Sequence, residues 1–170
     1  IKFIFNSFNH GSNYLSHSEL NTGHINDTFF VNTDLGNKYI LQRINHHVFK
    51  DVAGLVNNKV LISNHIRSKF SNVSEEEFSK TNLTFVKAKN TGLYYHKQNV
   101  DFWNVMVFIE ESITYEIVKN EELAYEGGKL FGAFLNLTSD FDAGKLIEVI
   151  PKFHDMSFRY YQFQSVLQSA

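Results

Sequence analysis

The spacing of apolar residues divides this chain into a strand-like first part and a helical second part. Residues 28–31 and 38–44 are rich in β-branched and aromatic side chains, and the turn-forming cluster at 34–37 separates them. The longest apolar run, at 101–109, predicts a central strand, and 83–87 and 92–95 predict short ones. The first part is therefore expected to fold as an antiparallel meander.

Helical spacing begins at residue 51 and returns after residue 110. Asp51 is placed to cap a helix over 51–68 that packs on the meander, and Asp155 to cap a last helix. A further helix is predicted across 123–137, where Gly128 and Gly132 leave one face bare for the close approach of another helix. The acidic, serine-rich stretch 71–79 predicts a solvated connector.

Composition narrows the function classes. With 170 residues, 43% apolar and 20% charged, the chain has the balance of an ordinary globular domain. A net charge of −2 gives no basic surface, so we expect no nucleic-acid partner. The absence of cysteine excludes disulfides, thiolate metal sites and a cysteine nucleophile. No apolar run is long enough for a membrane helix and no leader stands at the first residues, so we expect a cytoplasmic protein without a membrane partner.

Five sequence blocks, in order, carry a resemblance to a known family. They are GHINDTFFV at 23–31, YILQRINHHVFKD at 39–51, FIEESITYEIV at 108–118, AYEGGKLFGAFL at 124–135 and DFDAGKLIEVIPKFHDMSFRYYQF at 140–163. Together they resemble the aminoglycoside-phosphotransferase-like kinases, and within them the bacterial N-acetylhexosamine 1-kinases. The implied fold is α+β: a protein-kinase-like small lobe over 1–109, with about five antiparallel strands and one packed helix. Residues 110–170 are then the hinge and the truncated start of a helical large lobe.

The resemblance implies ATP and Mg²⁺ as cofactors and three groups of nucleotide-contacting residues. Phosphoryl transfer requires a triphosphate held still with its charge neutralised. The residues assigned to the bend over the phosphates are Gly23, His24, Asn26, Asp27 and Thr28. A plain hairpin turn is the alternative for that segment. The residues assigned to the hinge that meets adenine are Val107, Phe108, Ile109 and Glu110. Val107 and Ile109 are equally consistent with simple core positions.

A cation for the phosphates is expected at the end of the third strand, where Gln42 and Arg43 stand. Alternation along a strand sends the two side chains to opposite faces, so without a bulge only one serves. Arg43 is the better electrostatic partner because it is permanently charged and bidentate, although an exposed Arg on a sheet face is the alternative. The helix that follows contains no Glu to pair with such a cation, and Asn57 stands at the aligned position, next to Asn58.

The catalytic loop of a kinase is missing from these residues. No His-x-Asp occurs, so the general base and the magnesium carboxylates are expected outside this chain. Asp140 and Asp142 are interpreted as a helix-start or loop signal, and His154–Asp155 as a helix cap. The neighbours His46 and His47 are expected to point apart, and Trp103 is either core or a sugar platform.

Three readings of function follow. The first is the nucleotide-positioning part of a sugar kinase, inactive alone, whose complete form transfers the γ-phosphoryl of ATP to an N-acetylhexosamine. The second is a non-catalytic nucleotide-binding or scaffolding module of the same fold. The third is a kinase for another acceptor, such as homoserine, choline or an aminoglycoside. Self-association through the helices from Leu123 onward is also expected, because their apolar surface favours being covered.

Overall fold

The computed structural model describes residues 1–20, 23 and 25–169. Within them lies a six-stranded sheet whose pairings are all antiparallel. Its strands are β1 (Tyr14–Leu20), β2 (Asp27–Thr33), β3 (Lys38–Ile44), β4 (Phe85–Val86), β5 (His96–Gln98) and β6 (Asp101–Val107). The order is β1-β2-β3-β6-β4, with β5 also paired to β6. The mixed α+β class and the central position of β6 are confirmed, and the sheet has one strand more than expected.

Five α-helices accompany the sheet within the described residues. They are α1 (Lys2–Phe5), α2 (Val52–Ser68), α3 (Glu75–Ser79), α4 (Glu121–Thr138) and α5 (Met156–Ser169), with a 3₁₀ turn at Ala143–Lys145. The Asp51 carboxylate accepts a hydrogen bond from the Gly54 N–H at 2.8 Å, and the Asp155 carboxylate accepts one from the Phe158 N–H at 2.9 Å. Both predicted caps are therefore confirmed, because each satisfies an N–H left free in a first helical turn.

Two local predictions were wrong, and one helix was not predicted. The segment 71–79 is not only a connector: Ser74 caps α3, and α3 buries Phe78 beneath the guanidinium of Arg67. The short strand expected at 92–95 is instead β5, and the backbone at Gly92 has a positive φ of 69° that suits a turn. The helix α1 lies in a part of the chain for which no element was predicted.

The sheet has an apolar cluster on each face. On the α1 face, the fully buried side chains are Phe5, Phe8, Val31, Leu41 and Val105. On the α2 face, Ile44 of β3 packs with Val52, Val56 and Val60 of α2. Alternation along the strands separates the two sets, since neighbouring side chains point to opposite faces. Any site on this sheet therefore belongs either to the α1 face or to the α2 face.

The two long helices after the sheet are covered by little of the described structure. Neither α4 nor α5 contains a buried residue, and many of their large apolar side chains are exposed. Asn58 of α2 joins this region to the first part: its amide donates to the Ile147 carbonyl at 2.7 Å and accepts from the Ile147 N–H at 3.0 Å. Among the helices of the described residues, none has the length and apolar character needed to cross a bilayer.

Candidate functional site

The antiparallel register of β2 with β3 decides where the predicted phosphate-binding residues lie. Thr28 stands opposite Gln42, and Asp27 stands opposite Arg43. Gln42 and Arg43 lie on opposite faces of the sheet, as alternation requires, and the register between them shows no bulge. Gln42 and Thr28 lie on the α2 face, whereas Arg43 and Asp27 lie on the α1 face. The structure therefore separates two residues that the sequence left as alternatives.

A strip of three polar side chains crosses the α2 face of the sheet. We call Thr28, Gln42 and Asn104 the polar strip; Gln42 is opposite Thr28 on one side and Asn104 on the other. The Gln42 amide donates to the Thr28 hydroxyl at 3.3 Å, and Asn104 is fully buried. Gln42 Oε1 and both amide atoms of Asn104 are buried without a hydrogen-bond partner among the described residues.

Such unpartnered groups are costly inside a protein. A buried polar atom without a partner costs about 1–3 kcal/mol relative to one that is hydrogen-bonded. Native structures contain few of them, and each one requires an explanation, such as stored strain, a functional role, or an ordered water or ion. The polar strip holds three of these atoms on two facing residues. Among the described residues it therefore holds unsatisfied carboxamide groups in the middle of the α2 face, on a partly exposed Gln42 and a fully buried Asn104.

Arg43 is already neutralised on the α1 face. Its guanidinium donates to the Asp27 carboxylate at 2.5 Å and lies 3.8 Å from the Asp101 carboxylate. It also lies 5.9 Å from the ring of Trp103, which is buried in the α1 cluster. Trp103 is therefore a core residue. Two carboxylates beside Arg43 repel an incoming phosphate, so this guanidinium is poorly placed to hold one.

The bend before β2 is tied to the end of β3. The Asn26 side-chain oxygen accepts a hydrogen bond from the Asn45 N–H at 2.9 Å, which leaves the Asn26 amide hydrogens for another acceptor. Gly23 is exposed, and a Cβ built on it would meet only the Asn26 carbonyl, at 3.8 Å. The Gly23 backbone is thus open to a ligand. His24, assigned to the same bend, lies outside the described residues.

The predicted hinge begins at Val107, the last residue of β6, and continues through the three residues after it. The Val107 N–H donates to the Thr84 carbonyl at 2.9 Å and the Phe108 N–H to the Lys38 carbonyl at 3.0 Å, so both are used within the fold. Phe108 packs edge-to-face on Phe30 with 4.9 Å between ring centres. Side chains alternate between the two faces along a strand, and Phe108 is four residues after Asn104. The Phe108 side chain is therefore on the α2 face, the same face as the polar strip. Phe108, which follows β6, and the polar strip therefore lie on the same side of the sheet.

The hinge also lines a cavity that the polar strip does not reach. Val107, Phe108, Ile109 and Glu110 border an open cavity of about 1,090 Å³, but Thr28 and Gln42 do not. Glu110 forms an ion pair with Lys38 at 3.1 Å at its rim. The described residues thus bring the predicted groups onto one sheet without enclosing them in one pocket.

The helix α2 offers no charged partner to the polar strip. Asn57, at the position aligned with the kinase Glu, is exposed, and both polar atoms of the neighbouring Asn58 amide are used by Ile147. In the loop after α4, Asp142 caps the 3₁₀ turn through the Gly144 N–H at 3.0 Å. Asp140 binds Lys69 and His65, and these hydrogen bonds lower the pKa of Asp140 to about 2. The interpretation of these two residues as a loop signal agrees with these contacts.

The prediction for His46 and His47 was wrong. They lie in a turn rather than in a strand or helix, and their rings are 4.2 Å apart and inclined by 38°. They border a small cavity of about 280 Å³ with Asp27, Arg43 and Asp101. The described residues contain no group of three or more His, Asp or Glu side chains placed to hold a metal ion.

Sequence reasoning missed Asn104, the most buried member of the polar strip. The signal was available, because Asn104 is the one amide within the apolar strand DFWNVMV. A buried amide at that place requires a reason of its own. A scan against protein-family models found none that matches this chain.

Proposed function

We propose that this chain is the small lobe, hinge and first large-lobe helices of an ATP-dependent small-molecule kinase that positions the nucleotide. Two features support this. The order of elements, a meander followed by one packed helix and then a strand leading into helices, agrees with the layout that the sequence resemblance implies. In this proposal the boundary is drawn after residue 109, in the irregular connector that joins the end of β6 at Val107 to α4.

The observation that carries the proposal is the polar strip. It places three unpartnered polar atoms on the α2 face: one on Gln42 of β3, and two on Asn104 of β6, the strand that leads to the predicted hinge. From Asn104 to Phe108 a strand advances about 13 Å at ~3.3 Å per residue, which separates a phosphate end from a base end. A nucleotide laid along β6 has its phosphates at Gln42, the partly exposed amide of the polar strip, and its base at the aromatic edge of Phe108.

In this proposal Gln42, not Arg43, contacts the phosphates. Gln42 shares its face with Thr28 and with the hinge side chain Phe108, whereas Arg43 is held by two carboxylates on the other face. A neutral amide neutralises no charge, so the hold on a triphosphate is weaker than that of a Lys or Arg. Mg²⁺ ligands and the proton acceptor are supplied outside this chain. With the sugar acceptor bound there, the complete enzyme phosphorylates an N-acetylhexosamine hydroxyl.

The first test is nucleotide titration by calorimetry with Mg²⁺ present. Wild-type chain should bind ATP at high micromolar to millimolar concentration, Gln42→Ala should weaken binding, and Gln42→Lys should strengthen it about tenfold by adding a charge at the phosphates. Asn57→Ala, on the exposed side of α2, is the matched control and should change nothing. Equal affinities of Gln42→Ala, Gln42→Lys and wild type would refute the assignment of Gln42.

The second test is turnover. The chain alone should release no ADP from ATP with N-acetylhexosamines, because no His-x-Asp base is present among its residues. ADP formation that depends on the sugar would contradict the proposal that the proton acceptor and the Mg²⁺ ligands lie outside this chain.

A non-catalytic scaffolding module is the second candidate. It is favoured by the neutral Gln42 where a kinase strand supplies a cation and by Asn57 where the kinase helix supplies Glu. Absence of any calorimetric signal at millimolar ATP, with the chain folded, would favour this candidate. Phosphorylation of homoserine, choline or an aminoglycoside by the complete enzyme would keep the proposed reaction and change the acceptor.

A further inference from the structure

A second cavity lies between α2 and α4, away from the polar strip. Its volume is about 570 Å³, within the range of small-molecule sites. Most of its wall is aliphatic or aromatic. The apolar side chains around it are Ile62, Ile66, Leu83, Ile109, Leu130, Ala133, Phe134, Leu137 and Leu146. Of the residues assigned to the nucleotide, only Ile109 borders it.

The only charged side chain around this cavity, among the described residues, is Lys59. Residues 59, 62, 63 and 66 line up on one stripe of α2 because positions three and four apart share a helix face. Lys59 forms no ion pair or hydrogen bond with any described residue. Desolvation by burial lowers the pKa of Lys59. Lys59 is thus a partly buried cation that has no charged partner among the described residues.

A partly buried cation without a counter-charge favours an anionic ligand. Desolvating a charge is costly unless a counter-charge compensates it, and no acidic side chain borders the cavity. The remaining wall requires an apolar body on that ligand. We propose that the cavity between α2 and α4 binds a small amphipathic carboxylate, such as a medium-chain fatty acid, with its carboxylate on Lys59 and its chain along Ile62, Ile66 and Phe134.

The test compares two probes of equal chain length. Octanoate and octan-1-ol, both below the concentration at which they aggregate, are titrated into the full chain by calorimetry and by thermal unfolding. Octanoate should bind at least tenfold more tightly than octan-1-ol and raise the melting temperature. Octan-1-ol binding as tightly as octanoate, or no octanoate binding at millimolar concentration, would overturn the proposal.

Variants separate the charge from the cavity. Lys59→Met keeps the apolar stem and should remove the preference for octanoate, whereas Lys59→Arg should retain it. Ala133→Trp should fill the cavity and block both probes. Lys50→Met, at an exposed lysine before α2, is the control for lost net charge and should behave as wild type. Octanoate affinity unchanged in both Lys59→Met and Ala133→Trp would place binding elsewhere and refute the site.

Discussion

Substitution of Asn104 can show whether the polar strip is a binding site or a part of the core with unsatisfied polar groups. Its amide is fully buried, and neither polar atom has a partner among the described residues. Asn104→Leu therefore removes no hydrogen bond and adds apolar contact, so the free energy of unfolding should stay equal or rise by about 1 kcal/mol. Urea unfolding measures the difference.

A substitution at Leu41, on the neighbouring strand β3, provides the comparison for this prediction. Leu41→Ala removes a fully buried side chain and should lower the free energy of unfolding by about 2–5 kcal/mol. A loss of more than about 1 kcal/mol in Asn104→Leu would mean that an ordered water or another group satisfies the amide.

His10 predicts a pH dependence of stability. Its ring stacks on the Phe5 ring with 3.9 Å between the ring centres. One ring nitrogen contacts the Phe5 carbonyl at 3.1 Å, and the other accepts a hydrogen bond from the Ser12 N–H at 3.4 Å. One donor and one acceptor nitrogen is the pattern of a neutral imidazole. Burial, followed by the charge of Lys89, lowers the pKa of His10 from 6.5.

The sign of the effect follows from that direction. At pH values between the lowered pKa of His10 in the folded chain and its value of 6.5 in the unfolded chain, the unfolded chain binds more protons than the folded chain. Lowering the pH in this range therefore stabilises the unfolded chain relative to the folded one. Stability is therefore full above pH 6.5 and decreases as pH falls through the folded pKa. Urea midpoints between pH 7.5 and 5 should show this slope in wild type and a flatter one in His10→Gln. An equally steep slope in His10→Gln would assign the effect to another group.

At the scale of one element, substitution of glycine by alanine should have opposite effects on the free energy of unfolding at two helical positions. A Cβ on Gly54 in α2 would lie 2.8 Å from the Asp51 carboxyl carbon and 3.1 Å from the Ile147 side chain. Gly54→Ala therefore displaces the cap and should lower the free energy of unfolding by about 1–2 kcal/mol, although Ala favours helix. Thermal and urea unfolding measure it.

Gly128 in α4 is the matched control. A Cβ there has no described atom within 4 Å outside its own helix, so Gly128→Ala should stabilise the chain by about 0.5–1 kcal/mol. The expected close approach of another helix to Gly128 and Gly132 is not seen among the described residues. Stabilisation by both substitutions would show that the Asp51 cap moves aside without cost.

Elements with a clear apolar period were predictable, and those without one were not. The helix α2 has repeated apolar positions and a capping Asp51, so its start and end matched the prediction. The helix α3 has one buried side chain, Phe78, and a single residue carries no period. The turn holding His46 and His47 was assigned as regular structure, and the alternation rule then gave a wrong orientation.

At the scale of the whole molecule, the antiparallel meander and the central strand β6 were anticipated from the sequence, but the residue pairings between the strands were not. Alternation alone placed Gln42 and Arg43 on opposite faces. The pairing of Asn104 with Gln42, and the contacts of Asp27 and Asp101 with Arg43, depend on the registers between strands. The β3–β6 register joins residues that are far apart in sequence, and no local pattern encodes it. The polar strip and the neutralised Arg43 are consequences of that register.

The exposed helices predict self-association of the whole chain. On α4 the exposed fractions of Leu130 and Phe131 are 74% and 64%, and on α5 that of Val166 is 67%. Large contiguous apolar surface favours association because burial removes it from water. Sedimentation equilibrium should show the average mass rising with concentration. Phe131→Lys should weaken the association constant about tenfold, equivalent to about 1.4 kcal/mol.

Leu15→Lys is the control for this prediction, because Leu15 is also exposed, at 62%, but lies on the edge strand β1. It adds the same charge to the chain, so it tests whether net charge alone disperses the protein. If Leu15→Lys disperses the protein as strongly as Phe131→Lys, association runs through the sheet edge or through charge. A wild-type chain that remains a monomer at the highest concentration contradicts association through α4 and α5, since both helices keep their apolar faces in water.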